Sequence, residues 1–77
     1  MTLAEVKEGE VVKVLKMNAG SAIKQRMLDM GITPNTELRV ERYAPLRDPI
    51  QIRLKGYSLA LRVSEGKLIE VERITGK

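Results

Sequence analysis

The sequence predicts an all-β fold with a short helical insertion: five short antiparallel strands curled into a small barrel, with one helix between the first two. Three observations carry this. Residues 44–63 hold a proline-framed loop that leads into a tightly patterned hairpin. The strand-like segments are not separated by the helical crossovers that parallel pairing requires. A chain of 77 residues makes one small domain, 1–77, in which closing the sheet disposes of edges that would invite aggregation.

Taken in order, Thr2 and Glu5 have capping-box spacing, so Leu3 to Lys7 reads as one helical turn ended at Gly9. Val11 to Lys16 reads as the first strand. Asn18 to Ser21 is a turn cluster, with Ser21 as the helix N-cap. Ala22 to Met30 has helix spacing, with Ile23, Met27 and Met30 as a stripe that would cap one end of the barrel. Gly31 stands where a left-handed C-terminal residue is expected, and Ile32 supplies the apolar contact that follows such a cap. Thr33-Pro34-Asn35-Thr36 is a turn, with Pro at its second position and Asn tolerating positive φ at its third. Thr36 to Tyr43 is a strand with Leu38 and Val40 inward.

Next comes the loop Ala44-Pro45-Leu46-Arg47-Asp48-Pro49, then Ile50, Ile52 and Leu54 alternating with Gln51, Arg53 and Lys55. Tyr57, Leu59, Leu61 and Val63 continue the alternation on the return. A two-residue loop at Lys55-Gly56 sets Leu54 opposite Tyr57, Ile52 opposite Leu59 and Ile50 opposite Leu61, and a slip of one residue destroys the match. Gly56 suits a type I′ turn; Lys55 is less usual there, which leaves the turn type open. Ser64 to Lys67 reads as a connector and Leu68 to Ile74 as the last strand, with 75–77 a frayed tail. The last strand would pair with the first to give an SH3-like barrel with Leu54, Leu59, Leu61, Val40 and Ile52 in its core.

Composition removes whole classes of chemistry. With no cysteine and no histidine, the chain has no disulfide, no thiol or imidazole catalyst and no thiolate or imidazole ligand for zinc, copper or iron, which leaves only carboxylates and Met sulfur. Met17, Met27 and Met30 are soft thioethers that suit cuprous copper rather than ferrous iron, and their spacing reads as packing. No metal site and no cofactor is expected. The carboxylates Glu37, Glu41, Glu70 and Glu72 fall on outward strand positions with no nucleophile or phosphate-binding loop beside them, so no enzyme and no catalytic residue is expected. No apolar run reaches the roughly 20 residues that span a bilayer, and no signal-peptide core is seen. A cytoplasmic protein is the expectation.

Fourteen basic and ten acidic residues give a net charge of +4, spread along strands rather than gathered in a run. Two tyrosines and no other aromatic leave little for a proline-peptide groove or for stacked bases, so nucleic acid is not the expected partner. A nucleic-acid-binding small β-barrel stands as the alternative function, because the net charge permits it. Five residues remain as a candidate protein-binding surface. Lys24 and Arg26 lie off the helix stripe, Leu28 is less easily buried with it although a wide stripe would take it, and Leu46 and Arg47 sit between two prolines that present them rigidly. A contiguous Leu patch rimmed by Arg and Lys would make a partner site, and Arg is a frequent interface anchor.

Three segments together resemble the FeoA family, small cytosolic proteins associated with bacterial ferrous-iron uptake. They are Arg26-Met27-Leu28-Asp29-Met30-Gly31-Ile32-Thr33-Pro34, the loop Ala44 to Ile50, and Gly56-Tyr57 with Leu59-Ala60-Leu61-Arg62. The resemblance runs from Leu3 to about Ile74. The family pattern has Gly where this chain has Arg47, Gly where it has Asn35, and Glu-Ala where it has Glu65-Gly66. The resemblance implies an SH3-like barrel and an accessory role. It also implies a partner, the cytosolic GTP-binding domain of a FeoB-type ferrous iron permease, with the membrane reached only through that partner. A homo-oligomer is left open.

Overall fold

The computed structural model describes residues 1–74; the tail expected at 75–77 lies outside the described residues. A 3₁₀ turn, Leu3–Glu5, precedes β1 (Val11–Met17), α1 (Ser21–Asp29), β2 (Glu37–Tyr43), β3 (Ile50–Leu54), β4 (Tyr57–Leu61), α2 (Val63–Gly66) and β5 (Ile69–Arg73). The strands form one antiparallel sheet in the order β4-β3-β2-β1-β5. First and last strands pair as expected, with Val14 opposite Val71 and Met17 opposite Ile69. The inward residues of all five strands reach one core, so the sheet curls on itself, and the short α2 carries the chain from edge strand β4 to edge strand β5.

The hairpin takes the register its alternation dictates: Leu54 faces Tyr57, Ile52 faces Leu59 and Ile50 faces Leu61. Lys55 at φ 50° and Gly56 at φ 86° are both left-handed, the signature of a type I′ turn, whose twist matches that of the flanking strands. Two expectations need correction here. Leu59, assigned to the core, is half-buried, and Tyr57, assigned to the inward phase, is exposed, because β4 is an edge strand with no neighbour on its outer side. Val40, Ile52, Leu54 and Leu61 are buried as expected.

The return strand was expected to run to Val63 and to be followed by a plain connector. Instead it ends at Leu61 and residues 63–66 make one helical turn. Side-chain acceptors redirect the backbone: the Arg62 N–H donates to Glu65 Oε1 at 3.1 Å and the Val63 N–H to Asp48 Oδ1 at 3.1 Å. A glutamate three residues into a helix reaching back to the cap residue's amide is half of a capping box. The same arrangement shapes the N-terminus, where Thr2 N–H donates to Glu5 Oε1 at 2.7 Å.

The helix α1 starts one residue earlier than expected. Gly20, which has no side chain to cap with, takes the cap position and Ser21 is the first helical residue, which corrects the assignment of Ser21 as N-cap. The expected stripe is only partly buried: Met27 is buried, Met30 half-buried and Ile23 exposed. The helix docks by its C-terminal end. Ile32 N–H donates to Met27 O at 2.9 Å and Gly31 N–H to Leu28 O at 2.9 Å, with Gly31 at φ 89°. These bonds form a Schellman motif, and its apolar contact joins buried Ile32 to buried Met27. The following turn closes through Thr36 N–H to Thr33 O at 3.1 Å with Asn35 at φ 74°.

Candidate interaction surface

The loop between β2 and β3 is closed by its own backbone. Ala44 N–H donates to Pro49 O at 3.0 Å and Arg47 N–H to Ala44 O at 2.7 Å, and the Asp48–Pro49 bond is cis. The Asp48 carboxylate, by accepting the Val63 N–H, ties the loop to α2. This frame lifts Leu46 to the tip, where it is 90% exposed. Arg47 follows at φ 69° and lays its guanidinium 4.4 Å from the centroid of the Tyr43 ring, a cation–π contact.

Tyr43 is the anchor beneath. Its hydroxyl donates to Val6 O and, at 3.3 Å, to Ala4 O, while its own N–H donates to Glu8 Oε2 at 2.9 Å. Burial pushes its phenol pKa above the ordinary value, and the Arg47 charge opposes that only in part. A cleft of about 470 Å³ opens beside it, lined by Ala4, Tyr43, Arg47, Val63 and Lys67 among others.

A second groove, about 440 Å³, lies on the other side of the loop, lined by Arg26, Leu46, Pro49, Ala60, Arg62 and Glu65 among others. Here the structure joins α1 to α2: Arg26 Nη1 donates to Glu65 Oε2 at 2.5 Å. The Glu65 side chain is nearly buried while Arg26 stays largely open to solvent. Glu65 uses its other oxygen for the Arg62 N–H, so both carboxylate oxygens are engaged.

Of the five residues expected at a partner surface, Arg26 and Leu46 therefore share one groove. Arg47 is held across the loop on Tyr43, and Lys24 and Leu28, one turn apart on α1, line neither groove. All five are exposed. Sequence reading missed Tyr43 and Glu65. The Arg26–Glu65 pair spans 39 positions, and no local pattern announces it. Among the described residues no group of three or more Asp or Glu side chains is gathered closely enough to hold a metal ion.

Comparison with known proteins places this geometry. The family model for the FeoA domain matches residues 1–73. A fusion of Fe(2+) transport protein A with the Fe(2+) transporter FeoB, from Porphyromonas gingivalis, is 32% identical over 75 residues; the match covers 97% of this chain but only 9% of the fusion. The solution structure of a FeoA-like protein from Clostridium acetobutylicum is 43% identical, with a TM-score of 0.92 over 100% of this chain and 90% of that one. The zinc-complexed FeoA crystal structure from Stenotrophomonas maltophilia, described as a prokaryotic SH3 domain protein, is 28% identical, with a TM-score of 0.80 over 94% of this chain and 89% of that one. The fold is thus SH3-like, and the chain belongs to the FeoA family of ferrous-iron transport accessory proteins.

Proposed function

We propose that this chain is a non-enzymatic cytoplasmic protein that regulates or assembles a FeoB-type ferrous-iron permease by contact with the permease's GTP-binding region. One observation carries this: a relative joins the two proteins in a single polypeptide, and fusion keeps interacting domains at high effective concentration. The contact surface is Lys24, Arg26 and Leu28 on α1 with Leu46 and Arg47 on the proline loop. In support, Leu46 and Leu28 are exposed apolar side chains, Arg26 lines one groove with Leu46, and Lys24 stands one helical turn before Leu28. Association is membrane-directed only through the partner; no helix among the described residues is long and apolar enough to cross a bilayer. The net charge of +4 favours an acidic face on the partner and an affinity that falls with salt. The nucleic-acid alternative is weakened by Tyr43, whose ring lies beneath Arg47 rather than open to a base.

The test is titration of the isotopically labelled chain with the soluble GTP-binding domain of its cognate permease, with a GTP analogue, with GDP and without nucleotide. Amide shifts should cluster on α1 and residues 45–49. Leu46→Asp, at so exposed a tip, should leave the fold intact and weaken binding about tenfold or more, the scale of an interface hot spot. Binding that ignores Leu46→Asp and Arg47→Glu alike would remove the surface from this role.

A further inference from the structure

We infer that the outer edge of β4 is a binding site for an extended peptide that alternates acidic and apolar residues and adds to the sheet as a sixth, antiparallel strand. The inference goes beyond the permease contact and does not depend on it.

The backbone comes first. Across a two-residue hairpin loop the flanking residues exchange both backbone hydrogen bonds, and so does every second pair beyond them. Leu54–Tyr57, Ile52–Leu59 and Ile50–Leu61 are those pairs. Ser58 and Ala60 therefore turn N–H and C=O away from β3, and among the described residues no backbone or side-chain group meets them.

Protein sheets normally protect such an edge with charge, proline, a bulge or a covering segment. The opposite edge, β5, has three of these devices. Thr2 bridges to Glu70, Val71 N–H donates to Met1 O at 2.9 Å, the strand carries Glu70, Glu72 and Arg73, and its ladder with β1 is irregular. The β4 edge has none. Its sequence Tyr-Ser-Leu-Ala-Leu is uncharged and free of proline, and its ladder with β3 runs without a shift.

Charge selects the occupant. Ser58, Ala60 and Arg62 share one face with Arg53 and, one strand further in, Arg39. Arg62 and Lys55, at the two ends of the edge, make no ion pair among the described residues. Exposed Tyr57 and half-buried Leu59 lie on the other face. Glu41 lies on that face too, but Ser58, Gln51 and Arg53 already engage its carboxylate. An incoming strand thus meets a net positive charge, set by Arg62, Lys55 and Arg39, with one set of side chains and apolar surface with the other. Residues directly opposite Ser58 and Ala60 share their face, so the acidic residues of the peptide are the ones whose N–H groups point at β4. A second copy of this chain fits less well. Antiparallel pairing of β4 with itself, Ser58 against Ala60, sets the Arg62 end of one copy against the Lys55 end of the other, cation on cation.

The probe is a blocked peptide of about ten residues alternating Val and Glu, added to the labelled full chain at low salt. The Ser58 and Ala60 amides should shift downfield and exchange with solvent about tenfold more slowly or less, as newly bonded amides do. Methylating the Glu backbone nitrogens should reduce affinity about tenfold or more, because those N–H groups make the ladder; methylating the Val nitrogens should not. A peptide alternating Val and Lys should not bind in the same range. The proposal is overturned by unchanged Ser58 and Ala60 amides at millimolar peptide, or by equal effects of the two methylations. It is overturned equally if the same amides become protected with rising protein concentration and no peptide, which would give the edge to a second copy. None of these outcomes involves the permease.

Discussion

Arg47 and Asn35 are non-glycine residues that both have positive φ, at 69° and 74°. Left-handed backbone is the region that glycine enters most readily, and two L-residues hold it here. Asn tolerates that region through its short polar side chain; Arg does so at a cost of about 1 kcal/mol or more. The Tyr43 ring offsets part of it, since an exposed cation–π contact contributes about 0.5–1 kcal/mol. Arg47→Gly should therefore change stability by less than about 1 kcal/mol, the relieved strain balancing the lost contact and the greater freedom of the unfolded chain. Arg47→Val, which loses the contact and keeps a β-branched residue at positive φ, should cost about 1–3 kcal/mol. Urea midpoints of the two variants measure the difference, and equal values would mean the loop relaxes its backbone.

Among the elements, α1 depends on its last turn. A Cβ on Gly31 would lie 2.6 Å from the Tyr57 hydroxyl, which itself donates to Met30 O at 2.5 Å. Gly31→Ala should cost about 1–2 kcal/mol for the left-handed backbone and about 1 kcal/mol more for the displaced hydroxyl. In a Tyr57→Phe background only the first part should remain, and calorimetry on the four proteins of the cycle separates them. The hairpin register and the Gly31 cap were legible because each is written locally, in a period of two and in a glycine after an apolar residue. The burial of α1 was not. Ile23, Met27 and Met30 do share a stripe, but the tertiary docking at Ile32 buries only its C-terminal part. The turn at Val63–Gly66 was hidden because four residues show no period, and the groove lined by Arg26 and Leu46 was hidden because the Arg26–Glu65 bond that ties α1 to α2 spans 39 positions.

At the scale of the whole molecule, the sheet's outer face carries an electrostatic cluster sensitive to acid. Glu41 Oε1 accepts from Gln51 Nε2 at 2.9 Å and from Ser58 Oγ at 3.0 Å, and Arg53 lies 3.8 Å from its other oxygen. The hydrogen bonds from Gln51 and Ser58, helped by the nearby Arg53 and Arg39, hold its pKa below the ordinary 4.5 against the opposing effect of burial. A folded-state pKa below the unfolded one means that unfolding takes up a proton. The stabilisation is complete above the unfolded value of 4.5 and is lost as pH falls through the lower folded value. Glu41→Gln should flatten the fall in stability measured by urea unfolding between about pH 6 and pH 3. An unchanged slope would place the acid sensitivity elsewhere.

The pairing of β1 with β5 also has a consequence for the chain during its synthesis. Residues 11–17 are made well before their outer neighbour, which is not complete until residue 73 has been made. At roughly 5–20 residues per second, the intervening stretch takes on the order of 3–11 s to translate. Throughout that interval one side of an apolar strand waits on the ribosome without its mate. Any pause before β5 is made therefore lengthens the time that β1 spends without its outer neighbour.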